Sequence, residues 1–324
     1  MAKITRLEDI KKAAKRIEGK VRRTPLLRED RLDELFGAEV YLKPENLQVT
    51  GSFKIRGATN KILSLTDEER SRGIIASSSG NHAQGVAYAA KTLGIRATLV
   101  LPENAPKSKV EGSKKLGAEV ILHGFDSIER YKKLYEIQDE KGYTLVHSYN
   151  DPDLIAGQGT SGLEIMEDLP DVDTVVVPLG GGGLLAGVAA AVKETRPSVR
   201  VIGVEPANIQ RYAESRKAGK PVQVEMGPTL ADGLMITVTG ENNYPLIDKY
   251  VDEIVPASDD FIYKALMEIV FRGKVLIEPS ASVGVAAALE GSFKVKPGEK
   301  ICFFLSGGNI DPEKLADFIA HGMA

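Results

Sequence analysis

The stretch QVTGSFKIRGATNK, residues 48–61, places Lys54 just after Thr50, Gly51 and Ser52, three residues suited to capping a helix. A lysine in a first helical turn lies beside the positive end of the helix dipole, at a cost of roughly 0.3–1 kcal/mol. Two readings of Lys54 stand. Its stem carries the ammonium into water, with Arg56 nearby as a second tolerated charge. Alternatively it works uncharged, as a nucleophilic amine or Schiff-base partner, because such a site eases deprotonation.

Three turns supply further chemistry. In VVVPLGGGGLLAGVAAAVK, the consecutive Gly180, Gly181, Gly182 and Gly183 remove every β-carbon between a buried strand and an alanine-rich helix. Backbone amides there can wrap an anion, phosphate above all. A tight turn alone explains one or two glycines, not four. The same stretch also satisfies G-x-G-x-x-A through Gly181, Gly183 and Ala186, with Glu205 ending the next strand, which reads as a nicotinamide oxidoreductase but leaves Lys54 without a task. In GIIASSSGNHAQG, residues Ser77 to His82 set hydroxyl, amide and backbone donors at a helix start without an acid, which suits a small carboxylate, or else simply caps the helix. In ICFFLSGGN, Ser306 follows a buried strand and could bond a ring nitrogen without protonating it, or mark a bare strand-to-helix turn, while Gly307 and Gly308 admit a close neighbour.

The elements that must hold these turns alternate in kind. AEVYLK, GIIAS, ATLVLP, AEVILHG, TLVHS, DTVVVPLG, VRVIGVEP and ICFFLSGG read as strands, several apolar at nearly every position, as strands covered on both faces are. GNHAQGVAYAAKTLG, APKSKVEGSKKLG, DSIERYKKLYEIQDEKG, DLIAGQGTSGLEIMEDL and LLAGVAAAVKETRP have helical period. The alternation predicts an α/β protein with parallel sheets and helices on both faces. Residues 73–145 carry their own run of units and are expected to form a smaller domain, with residues 149–324 joined by 1–66 forming the larger.

Composition narrows the class. The 324 residues are 43% hydrophobic and 27% charged, with a net charge of −3 and dispersed lysines and arginines, so neither a nucleic-acid footprint nor a membrane-surface patch is expected. The one cysteine, Cys302, lies in an apolar run, which excludes an internal disulfide. No signal-peptide core or membrane-length apolar run is visible, and a cytoplasmic protein is expected.

A Schiff-base lysine, a glycine cradle, a carboxylate loop and a late-strand serine together fit pyridoxal phosphate. The stretches ENLQVTGSFKIRGA, SSSGNHAQGVA, LPENAPKSKVE, IAGQGTSGLEIMEDL, VVPLGGGGLLAGV, TLADG and SGGN, spread between Glu45 and Asn309, resemble the threonine dehydratase and serine racemase group of fold-type II pyridoxal-phosphate enzymes. The overall pattern is most similar to the short catabolic threonine dehydratases. The resemblance implies the tryptophan synthase β-like fold of two open parallel-sheet domains. It implies β-elimination of L-threonine and L-serine to 2-oxobutanoate or pyruvate and ammonia, with serine racemisation or 3-hydroxyaspartate dehydration as alternatives. It also implies a homodimer or homotetramer, and neither a C-terminal regulatory domain nor feedback inhibition by isoleucine.

Residue by residue, the resemblance implies that Lys54 carries the cofactor and Phe53 lies against its ring. Asn81 bonds the ring hydroxyl, Gly180, Gly181, Gly182, Gly183 and Leu184 cradle the phosphate, and Ser306 faces the ring nitrogen. Ser79 is implied as a second base on the face opposite Lys54, and Ser78, Ser79, Gly80, Asn81 and His82 as the loop that takes the substrate carboxylate. Racemase-like members bind a divalent cation through a Glu in EP and an acid six residues on. Here Glu205 is followed at that spacing by Arg211, so no metal is expected in that form. Tyr149 in HSYNDP stands where the racemases carry an Asn, a dehydratase-like choice, whereas Glu278 in IEPSAS is racemase-like.

Overall fold

The computed structural model describes residues 4–78 and 80–321. In chain order its strands are β1 (Leu27–Arg28), β2 (Glu39–Pro44), β3 (Ile74–Ser77), β4 (Ala97–Leu101), β5 (Glu119–Leu122), β6 (Thr144–Leu145), β7 (Thr174–Pro178), β8 (Arg200–Pro206), β9 (Glu253–Ala257) and β10 (Lys300–Leu305). They form a six-stranded sheet in the order β1-β2-β10-β7-β8-β9 and a four-stranded sheet in the order β5-β4-β3-β6. Every pairing is parallel except that of β1 with β2.

Helices cover both faces of each sheet, and strand side chains alternate between two cores accordingly. In the larger sheet, Val175, Val177, Val201, Cys302 and Phe304 pack with helices Leu7–Ile17, Pro152–Asp168 and Gly183–Thr195. The opposite face, with Val176, Ile202, Val204, Ile301 and Phe303, packs on helices Asp259–Met267 and Pro279–Glu290. In the smaller sheet, Ile74, Ala76, Leu99 and Leu101 meet helices Lys54–Ser64 and Asn81–Leu93, while Ile75 and Val100 meet Leu134 and Ile137 of helix Ser127–Lys141. Among the described residues no helix is long and apolar enough to cross a membrane.

Two features of this packing position the site. Helix Pro152–Asp168 sits between helices Lys54–Ser64 and Gly183–Thr195, and glycines bring the three backbones close: a β-carbon on Gly157 would lie 2.7 Å from Gly57 Cα, and one on Gly159 would lie 2.8 Å from the Gly187 carbonyl. The turns after β3, β7 and β10 all leave the carboxyl ends of parallel strands, where helix N-termini converge. Strand β9 was not among the predicted strands. Its Pro256 has no backbone N–H to give a neighbour, and β9 is the outer strand of its sheet, where proline is tolerated.

Candidate active site

Lys54 is the first residue of its helix, with Phe53 at the N-cap and no side-chain cap. Thr50 and Ser52 do not cap it; their hydroxyls are buried without a partner. What fixes this turn is instead the turn after β10: Phe53 N–H donates to Ser306 O at 3.1 Å, Gly308 N–H to Gly51 O at 2.9 Å, and Asn309 Nδ2 to Thr50 O at 2.9 Å. Lys54 is half-buried, its Nζ donating to the Ser148 carbonyl at 2.8 Å and lying 5.2 Å from the Phe53 ring centroid. Burial draws its amine down to about 8, against the opposing charge of Glu278. Arg56 is not a second solvated cation: it is 1% exposed and paired with Glu45 and Glu164.

The glycine loop ends at Gly182, which adopts φ 100° at the N-cap of helix Gly183–Thr195. A β-carbon on Gly181 would run into the Tyr149 ring, and one on Gly183 would lie 2.7 Å from the Tyr149 carbonyl. Buried Arg211 donates to the carbonyls of Leu179 and, at 2.9 Å, Gly180, while Asn243 Nδ2 donates to Gly181 O at 2.7 Å. A trans peptide points its N–H opposite its C=O, so holding these carbonyls leaves the N–H groups of Gly180, Gly181 and Gly182 facing away from Arg211 and Asn243. Leu184, in the first turn, is buried on the cavity wall. Glu205 is sealed from this space. Its carboxylate accepts from Tyr212 N–H at 3.0 Å and Ala213 N–H at 3.2 Å and lies 3.8 Å from Arg211 Nε, so it is not free to hold a ribose.

The loop after β3 reaches the same cavity with Ser78, Gly80, Asn81 and His82; Ser79 lies outside the described residues. Gly80 N–H donates to Ser78 Oγ at 3.2 Å. Asn81 Nδ2 donates to Glu278 Oε1 at 2.8 Å and its Oδ1 accepts from Asn309 at 2.7 Å. His82 is buried with Nε2 2.8 Å from the Val146 carbonyl, which makes Nε2 the donor and leaves Nδ1 an unpartnered acceptor. Burial and the nearby Lys54 charge push its imidazole down to about 3.

Lys54, the glycine loop, Ser78, Gly80, Asn81, His82 and Ser306 thus line one cavity of about 810 Å³. Other walls were not assigned a place from sequence: His147, Tyr131 and Arg130 on one side, Asp232 and Leu234 on another. Glu278 also lines it, its carboxyl pushed up to about 7 by burial, with the Asn81 hydrogen bond opposing.

The family model described as pyridoxal-phosphate dependent enzyme matches residues 17–307. The L-threonine ammonia-lyase of Thermotoga maritima is 49% identical over 98% of this chain and 79% of its own length. The catabolic L-threonine dehydratase TdcB of Staphylococcus aureus strain USA300 is 43% identical, over 99% of this chain and 94% of its own. The structure of maize serine racemase superposes with a TM-score of 0.94 at 39% identity, covering 98% of this chain and 97% of that one. On this fold, this cavity and these matches, the chain belongs to the family of pyridoxal-phosphate dependent enzymes.

Proposed function

We propose that the chain catalyses β-elimination of L-threonine, and of L-serine, to 2-oxobutanoate or pyruvate and ammonia, with pyridoxal 5'-phosphate as cofactor. The observation that carries this reading is the meeting, in one cavity, of a lysine amine bonded to a neutral carbonyl and a loop of four glycines whose carbonyls are held by Arg211 and Asn243. The same residues fit the cofactor: Gly181 and Gly183 pack so closely on Tyr149 that neither admits a β-carbon, which leaves bare backbone at the cavity wall, and the helix behind it opens without an acid. When bound, the cofactor supplies an aldehyde for covalent attachment and a ring that draws electrons from the substrate Cα.

The chain's own groups bind, orient and move the proton. Lys54 Nζ, with its amine drawn down to about 8, holds the cofactor and takes the Cα proton. Phe53 would lie against the cofactor ring, and Gly180 to Leu184 would hold the phosphate. Asn81 Nδ2 gives one hydrogen to Glu278 and keeps the second for the ring oxygen. Ser306, buried at the cavity wall, would present a neutral hydroxyl to the ring nitrogen and leave that nitrogen unprotonated, which suits prompt loss of the β-hydroxyl. Ser78, Gly80, Asn81 and, through its backbone N–H, His82 receive the substrate carboxylate at the start of helix Asn81–Leu93, which has no acid in its first turn. Ser79 is assigned as the second base of any racemisation. Residues 73–145 form the small domain in this reading, and their closure over the large one, residues 1–66 and 149–324, excludes water.

Borohydride reduction of the purified protein followed by peptide mapping is expected to recover the cofactor on the Lys54 peptide; recovery elsewhere, or nowhere, overturns the reading. Release of 2-oxo acid from L-threonine, L-serine and 3-hydroxyaspartate, with chiral analysis of the remaining serine, ranks the substrates and separates elimination from racemisation.

A further inference from the structure

We propose that His147 is a positioning residue whose neutral imidazole folds residues 147–150 into the turn that serves both Lys54 and the glycine loop; the inference rests on the reading of those two elements given above. His147 Nδ1 accepts from the N–H groups of Tyr149 at 3.2 Å and Asn150 at 2.9 Å. An Nδ1 that accepts twice carries no proton, so the hydrogen resides on Nε2. The arrangement has the logic of an Asx turn, built with an imidazole.

Both products of the turn reach the site. Its second residue, Ser148, turns its carbonyl to Lys54 Nζ at 2.8 Å. Its third, Tyr149, fills the space in front of Gly181, and its carbonyl accepts at 3.1 Å from Asn243 Nδ2, which also holds the Gly181 carbonyl at 2.7 Å. The plane of His147 is fixed by Tyr131, stacked at 5.7 Å, and Tyr149, edge-on at 4.7 Å. The titratable and charged groups that face it are Tyr131, Tyr149, Asp151, Lys54 and His82. Burial, with Asp151 opposing and Lys54 assisting, draws the imidazole down to about 4.

Nitrogen-15 NMR of histidine-labelled wild-type holoenzyme, with the His147 signal identified by its loss in His147→Asn, is expected to show the Nε2–H form between about pH 6 and 8. The Nδ1–H form or a cation in that range overturns the proposal, and where His147→Asn fails to fold the signal is identified instead by its contacts with the Tyr131 and Tyr149 ring protons. Among variants, His147→Asn keeps an acceptor near the Nδ1 position, whereas His147→Phe keeps a ring and loses the acceptor. In His147→Phe holoenzyme, the Tyr149 and Asn150 amides are expected to exchange, and the cofactor to dissociate, about tenfold faster or more, with His147→Asn within about threefold of wild type. Equal rates in wild type and His147→Phe overturn the role of His147 and leave the Lys54 reading standing. Wild-type protein that holds no cofactor overturns that reading itself.

Discussion

The guanidinium of Arg56 lies along the carboxylate of Glu45, with Nε to Oε2 at 2.7 Å and Nη2 to Oε1 at 2.8 Å, both side chains sealed from solvent. Glu164 takes a second edge of the same guanidinium through Nη1 and Nη2, each at 2.7 Å, and Lys43 Nζ reaches Glu164 at 2.6 Å. Two cations therefore face two anions inside the protein, two residues along the helix from Lys54. Such a group is stable only while complete, because a lone buried charge carries its full desolvation cost.

Arg56→Met is therefore expected to destabilise the protein by about 3–5 kcal/mol in urea unfolding, and Arg56→Lys to recover only part, since an ammonium cannot fork to two carboxylates. Burial raises the Glu45 carboxyl, but Arg56 outweighs it and holds the group below its usual value. In the wild type this contribution is complete above the ordinary carboxylate range and is lost as pH falls through the lower folded value. Without Arg56, burial dominates and the sign reverses, so mild acid should stabilise the variant. A variant with wild-type acid dependence contradicts the assignment.

Lys54 offers a second test of sign. Uptake of pyridoxal phosphate by cofactor-stripped protein should follow the free amine, with a midpoint near the value of about 8 that burial sets, and Lys54→Ala should show no uptake, no visible band and no turnover. Glu278 opposes that depression, so Glu278→Gln should lower the midpoint further. Because the Glu278 carboxyl itself sits at about 7, the difference between wild type and variant should narrow in more acidic buffer. An upward shift in Glu278→Gln would contradict the electrostatic account.

The turns of this site were legible in sequence because their signals are local: four adjacent glycines, a serine-rich helix start, a lysine where the dipole disfavours it. What escaped depends on distance along the chain. Arg56 read as a tolerated surface charge because its partners stand 11 and 108 residues away. Arg211 read only as a departure from an acidic pattern, whereas in the fold it holds the outer carbonyls of the glycine loop. His147 shows nothing in sequence to mark it, since its work is done through two backbone amides. Strand β9 carries Pro256, whose meaning depends on whether the strand is inner or outer, a relation that residues 253–257 alone do not show.

Arg211→Met removes the donors that hold the Leu179 and Gly180 carbonyls, and with them the orientation of the next two N–H groups. The expected result is at least tenfold faster cofactor loss, by analogy with about 1.5–3 kcal/mol for hydrogen bonds to a charged group. Arg211→Lys keeps the charge but cannot span three carbonyls, one of them Ile209 O at 2.9 Å, and should fall between. Equal cofactor retention in all three proteins would leave the loop without need of Arg211.

Two glycine-to-alanine changes separate the cradle from ordinary helix chemistry. At Gly181 the new methyl would enter the Tyr149 ring, in a loop with no room to yield, and cofactor binding should fall at least tenfold while the rest of the fold persists. Gly112 lies inside helix Lys107–Lys115 with nothing within 4 Å of an added β-carbon and no positive φ. Gly112→Ala should therefore stabilise the protein by about 0.5–1 kcal/mol, through helix propensity and a less flexible unfolded chain, and leave cofactor binding unchanged. Thermal unfolding and cofactor titration on both variants give the answer. If Gly181→Ala binds the cofactor as wild type does, the four glycines do not form a cradle that needs their missing side chains.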